Sequence, residues 1–142
     1  MNPINDNTAE RLRDCIATWE SWDAGLTSTP LPVWQYGGFS NETFLVTDNH
    51  KRLVLRLNGE AKHFGVDREL EAKILSGLAN QPWVPALIHR DRHLDFQVME
   101  YIHGTNLIVT DLAGHLSAVG RLFTEIHQIE MDIDTRLNPI DQ

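Results

Sequence analysis

Apolar residues recur at helical spacing in three stretches of the chain, and five shorter runs read as strands. Leu12, Cys15, Ile16, Trp19 and Trp22 fall on one face of a helix over about residues 8–24. Asn7 or Thr8 can cap it, with Glu10 three residues after Asn7 as in a capping box. The TSTPLP stretch at residues 27–32 then breaks the chain. Strands are predicted at residues 33–38, 42–47 and 52–58, the last two joined by Asp48-Asn49-His50, a tripeptide suited to a hairpin. After the polar segment GEAKHFG, Leu70, Ile74 and Leu78 predict a helix over residues 66–79, and Pro82 and Pro85 prevent its continuation. Two more strands, 86–89 and 94–101, flank the charged turn Arg90-Asp91-Arg92. HGTN is a short linker. Leu112, Leu116, Val119, Phe123 and Ile126 then predict a final amphipathic helix over about residues 112–129, followed by a tail without periodicity.

Consecutive strands with short links imply a five-stranded antiparallel sheet with the 66–79 helix packed on it, an α+β layout. The expected divisions are an N-terminal helical segment, 1–29, the sheet with its helix, 30–103, and a linker, last helix and tail, 104–142. No internal repeat is present.

Composition narrows the classes. A chain of 142 residues with 42% hydrophobic and 23% charged residues can build one core without metal or disulfide, burying roughly two thirds of its unfolded surface. Twenty acidic against twelve basic residues, a net charge of -8, argue against nucleic acid as a partner, because phosphate neutralisation needs a basic face. The single cysteine, Cys15, excludes an internal disulfide and points to a reducing, cytoplasmic setting; the simplest reading places it in the first apolar stripe. No run of about 18 apolar residues exists, so no membrane span is expected. The polar, acidic N-terminus is unlike a signal peptide.

Four constellations can carry chemistry. GGFSNETF at residues 37–44 lies between two strands. Its glycines let backbone approach a bulky anion, and Ser40 and Asn41 add short polar groups, although a plain hairpin uses the same residues. It fits neither the P-loop nor the GxGxxG pattern. Arg56, in LVLRLNG, places a cation in an apolar strand, on the face of Val54 and Asn58; a solvated sheet face is the alternative. Glu71, in VDRELEAKIL, flanks the apolar stripe of its helix and could meet Arg56 as a bidentate pair, or could be an ordinary surface carboxylate. VMEYIHG at residues 98–104 leaves a sheet edge whose backbone groups could pair with a flat heterocycle, with Met99 as an adaptable wall; the plain alternative is a strand end.

Taken in order, GGFSN, VLRLNG, DRELEA with Arg68 three before Glu71, and VMEYIHGTNL resemble the amino-terminal lobe of a protein-kinase-like fold. They are most similar to the choline/ethanolamine kinase and aminoglycoside phosphotransferase family, which includes thiamine kinase-like proteins. LFTEIHQI resembles the first carboxy-lobe helix of that family, so the likeness covers about residues 30–130. The resemblance marks the superfamily and carries no information on the acceptor. It implies that residues 30–103 bind ATP. Ser40, Asn41 and the backbone of Gly38 and Phe39 would lie over the phosphates. Arg56 would contact the α/β-phosphates and be oriented by Glu71. The backbones of Glu100 and Ile102 would bind adenine, with Met99 behind it.

Phosphoryl transfer further needs a catalytic-loop Asp followed by an Asn, and an acidic metal ligand. His89-Arg90-Asp91 imitates the first, but Phe96 stands five positions after Asp91, and the motif lies in a predicted hairpin before Met99-Glu100-Tyr101-Ile102, which the resemblance makes the hinge between the lobes. Asp132-Ile133-Asp134 imitates the second but follows no catalytic loop. His89 and His93 straddle a turn and not a helix face, which argues against a zinc site. No catalytic or metal-binding residue is therefore assigned. The leading expectation is the amino-terminal part of an ATP-dependent small-molecule kinase, with Mg2+ and an alcohol acceptor engaged only together with a carboxy lobe. The rival is a non-catalytic nucleotide-binding or protein-interaction module. The last helix would leave its apolar stripe uncovered; either self-association through residues 112–129 or folding back onto the sheet would relieve it.

Overall fold

The computed structural model describes residues 6–36, 41–59, 67–104 and 112–130. The chain divides into two compact units, residues 1–102 and 103–142.

In the first unit, α1 (Asp6–Ala17) is followed by a 3-10 turn (Trp19–Trp22) and then β1 (Leu31–Tyr36), β2 (Asn41–Thr47), β3 (Arg52–Asn58), α2 (Arg68–Leu78), β4 (Leu87–Arg90) and β5 (Phe96–Glu100). The expected single helix to residue 24 ends earlier. Thr18 bonds back to the carbonyl of Cys15 through both its N–H at 3.0 Å and its hydroxyl at 2.7 Å, which tightens the chain into the 3-10 turn. Asp23 and Gly25, both at positive φ, then reverse it.

The five strands form one sheet in the order β1-β2-β3-β5-β4, every neighbouring pair antiparallel, as the sequence predicts. The register gives the sheet two different faces. Leu53, Leu55 and Leu57 of β3 lie opposite Val46, Phe44 and Glu42 of β2, and opposite Glu100, Val98 and Phe96 of β5. Their apolar members, with Leu12, Trp22 and Ala24 from the N-terminal segment, form the buried core. That segment is also held by polar bonds: Thr8 Oγ1 donates to Glu42 Oε1 at 2.6 Å and Arg11 Nη2 to the carbonyl of Asn58 at 2.6 Å.

The core thus lies under α1 and the 3-10 turn, while α2 lies over the other face. No residue of α2 is fully buried. It starts at Asp67, whose side chain accepts from the Leu70 N–H at 2.9 Å as an N-cap. The second unit contains α3 (Leu112–His127), with Leu116, Phe123 and Ile126 exposed. Among the described residues, no helix is long and apolar enough to cross a membrane.

Candidate functional site

The sheet face opposite the core carries two cross-strand rows. One is Thr43, Arg56 and Gln97; the other is Leu45, Val54 and Met99. The first is polar and the second apolar. This is the direct consequence of strand alternation, which sends Leu53, Leu55 and Leu57 inward and Val54 and Arg56 outward.

Arg56 cannot be left unpaired beside this apolar row. Its Nη2 donates to Glu71 Oε1 at 2.8 Å, and its Nε to Asn58 Oδ1 at 3.1 Å. With the amide oxygen of Gln97 turned toward the guanidinium, Gln97 also accepts from Nε at 2.8 Å and from Nη2. Gln97 is 2% exposed, so this contact is made away from water. The two residues singled out in separate elements, Arg56 and Glu71, therefore meet between β3 and α2.

Glu71 has a second partner. Arg68 Nη1 donates to its Oε2 at 2.8 Å. Burial pushes the Glu71 carboxyl up. The Arg68 hydrogen bond and the charge and hydrogen bond of Arg56 outweigh that, and the group stays below its ordinary range. Arg90 enters the same crevice from β4, its Nη1 donating at 3.3 Å to the Ala72 carbonyl and to Ser76 Oγ on α2. Its Nη2 is buried without a hydrogen-bond partner among the described residues. Among the described residues, three guanidiniums and one carboxylate line a cavity of only about 10 Å³ here, so the crevice is closely packed and carries an excess of positive charge.

Of the anticipated phosphate-turn residues, Gly38, Phe39 and Ser40 lie outside the described residues. Asn41 opens β2, and its Oδ1 accepts from Arg68 Nη2 at 2.9 Å and from the Gly59 N–H at 3.4 Å. Met99 is half-buried in the apolar row beside Val54. The N–H of Glu100 donates to the Ala86 carbonyl at 2.9 Å, so that donor is committed within the sheet, and Ile102 is 54% exposed just beyond.

The imitations of catalytic motifs have structural occupations. Asp91 Oδ2 accepts from the His93 N–H at 2.8 Å, capping the β4–β5 turn. His89 stacks on Phe96 at 5.5 Å on the core side, while His93 accepts from Arg92 at 2.8 Å. Asp132 and Asp134 lie outside the described residues. Among the described residues no group of three or more His, Cys, Asp or Glu could hold a metal ion. The one carboxylate in the crevice has both oxygens taken by arginines, so the described residues do not fit a magnesium site.

Sequence reasoning missed Gln97 and Arg90, which reach the site only through pairing of strands distant in the chain. Arg68 as a partner of Glu71 had a local signal, since i and i+3 are neighbours on a helix.

Residues 36–139 match the phosphotransferase enzyme family, and the chain belongs to it. No curated protein matches the sequence. Among solved structures, an ethanolamine kinase from Plasmodium vivax is 15% identical with a TM-score of 0.67, the match covering 92% of this chain and 36% of that one. A choline/ethanolamine kinase family protein from Mesorhizobium loti is 25% identical with a TM-score of 0.46, covering 67% and 29%. The streptomycin-ATP-APH(2")-IIa ternary complex is 18% identical with a TM-score of 0.48, covering 93% and 43%. The five-stranded antiparallel sheet with its helix is thus a kinase-like N-lobe, and the chain spans about a third of the length of the ethanolamine kinase it resembles.

Proposed function

We propose that this member of the phosphotransferase family is the ATP-binding part of a small-molecule kinase that phosphorylates an alcohol group, of the choline, thiamine or aminoglycoside kind. The observation that carries the reading is the Arg56–Glu71 pair, 2.8 Å apart on the polar row of the sheet. A cation held by a carboxylate and two amide oxygens is preorganised for an anion, and preorganised charge is what phosphoryl transfer asks of a protein. Arg56 then takes the α/β-phosphates. The turn of Gly38, Phe39, Ser40 and Asn41 covers the phosphates. Leu45, Val54 and Met99 offer the adenine an apolar floor, and the backbone carbonyl of Glu100 and the backbone of Ile102 offer it hydrogen-bonding groups. Magnesium and the catalytic base come from a carboxy lobe, and the protein works in the cytoplasm.

Calorimetric titration of residues 1–142 with ATP tests this. The chain should bind ATP, and Arg56→Ala should weaken binding by about tenfold or more, the scale of a lost charge-assisted hydrogen bond. Choline, thiamine and aminoglycosides should not be phosphorylated by this chain alone. Failure to bind ATP at millimolar concentration overturns the reading, as does turnover that Asp91→Ala abolishes.

A further inference from the structure

The Glu71 carboxylate is shared. Oε1 receives Arg56 and Oε2 receives Arg68, each at 2.8 Å. The other end of the Arg68 guanidinium reaches away from α2. Its Nη2 donates to Asn41 Oδ1 at 2.9 Å and to the Gly59 carbonyl at 3.0 Å, joining the start of β2 and the end of β3 to the first turn of the helix. The Arg68 side chain is only 11% exposed, so these bonds are made largely out of water, where they are strong.

This bridge answers a packing problem. No residue of α2 is fully buried, so apolar packing alone does not fix where the helix sits or where Glu71 points. A glutamate side chain has three torsions to immobilise, and an arginine has more. Arg68 holds one oxygen of the glutamate while Arg56 holds the other, which removes that freedom. Sharing also alters the charge: one carboxylate between two guanidiniums leaves the trio at a net +1, whereas a simple pair would be neutral.

We propose that Arg68 is a positioning residue, holding the Glu71 carboxylate where it receives Arg56 and tying that pair to Asn41 at the start of β2. The proposal deepens, and rests on, the reading of Arg56 as the phosphate-binding cation.

The test is nuclear magnetic resonance on residues 1–142, with ATP as the probe in a parallel titration. Three signals are followed: the Glu71 carboxyl titration, solvent exchange of the Arg56 Nε–H, and the Gly59 amide shift. In Arg68→Gln the Glu71 carboxyl should titrate higher, the Arg56 Nε–H should exchange faster, the Gly59 amide should move, and ATP binding should weaken about tenfold. Arg68→Lys should restore the Glu71 titration but not the Gly59 shift, because one ammonium cannot reproduce the planar fork. Lys73→Gln, on an exposed position of α2, should change none of these. Unchanged Glu71 and Arg56 signals in Arg68→Gln overturn the proposal. If that variant does not fold, Arg68→Lys decides: a wild-type Gly59 shift with wild-type ATP affinity overturns it. A wild-type chain that shows the expected Arg68 effects on Glu71 and Arg56 but does not bind ATP refutes the kinase reading and still supports the positioning role.

Discussion

Trp22 and Phe96 face each other inside the first unit, their ring centroids 6.2 Å apart and their planes tilted by 54°. Trp22 belongs to the 3-10 turn and Phe96 to β5, so the contact joins the N-terminal segment to an interior strand of the sheet. Trp22 is completely buried, and its Nε1 donates to Thr18 Oγ1 at 3.1 Å, which satisfies the one polar atom it takes inside. Trp22→Ala should therefore cost about 3–5 kcal/mol, the range for removing a large buried aromatic. Urea denaturation measures it. A chain lacking residues 1–29 should fail to give a cooperative transition, because Leu55, Leu57 and Val98 would lose their cover.

Element types and order were legible because each depends on local spacing. The 66–79 periodicity becomes α2 at Arg68–Leu78, and the Asp48-Asn49-His50 turn joins β2 to β3. What covers the sheet was less legible. The stripe of Leu12, Trp19 and Trp22 shows that a face must be buried but not against what, and the core of β3 and β5 proves to be its partner. The meeting of Arg56 and Glu71 could be anticipated from the strand and helix faces. The contact of Arg56 with Gln97 could not, because it requires β5 to pair with β3 across 41 positions of chain, a non-local choice that no single run of residues encodes.

Glu71→Gln should loosen α2. The change removes the only carboxylate among the described residues that line the crevice and leaves Arg56, Arg68 and Arg90 facing one another. The loss of two charge-assisted hydrogen bonds should cost about 1–3 kcal/mol, read as a lower urea midpoint at neutral pH. The sign with pH follows from the depressed carboxyl. Its contribution is fully present above the unfolded glutamate value of about 4.3 and disappears as the pH falls through the lower, folded value. The gap between wild type and Glu71→Gln should therefore be constant from pH 7 to about pH 5 and close in more acidic solution.

A second carboxylate holds a different junction. Asp48 Oδ2 accepts from the Thr27 N–H at 2.7 Å and hydroxyl at 3.0 Å, while Oδ1 accepts from the N–H groups of His50 at 3.1 Å and Lys51 at 2.7 Å. Lys51 completes the link by donating from Nζ to the Ala24 carbonyl at 2.5 Å. The backbone N–H of Thr27, followed by that of Lys51, holds the Asp48 carboxyl well below the usual carboxylate range, against the opposing effect of burial. Asp48→Ala should lower the melting temperature, because it frees both the β2–β3 turn and the segment leading into β1. Since the folded value is depressed, the wild-type advantage should hold down to about pH 4 and shrink only below it. Melting curves of both proteins from pH 7 to pH 3 check this; an advantage that fades already at pH 6 would point to a different group.

The remaining expectation concerns α3. Leu116, Phe123 and Ile126 are 59%, 56% and 38% exposed and recur along one side of the helix with the half-buried Val119. An amphipathic helix with an apolar side open to water is an interface in waiting, since each such side chain gains about 1.5–3 kcal/mol on full burial. Two copies of this chain present the same stripe, and a two-fold pairing of identical helices buries both at once. Sedimentation of residues 1–142 should show a mass that rises with concentration. Phe123→Glu should hold the chain as a monomer, because a charge in the middle of the stripe would have to be buried unpaired in the dimer. A wild-type chain that sediments as a monomer at every concentration would remove the self-association expectation and leave α3 without an identical partner.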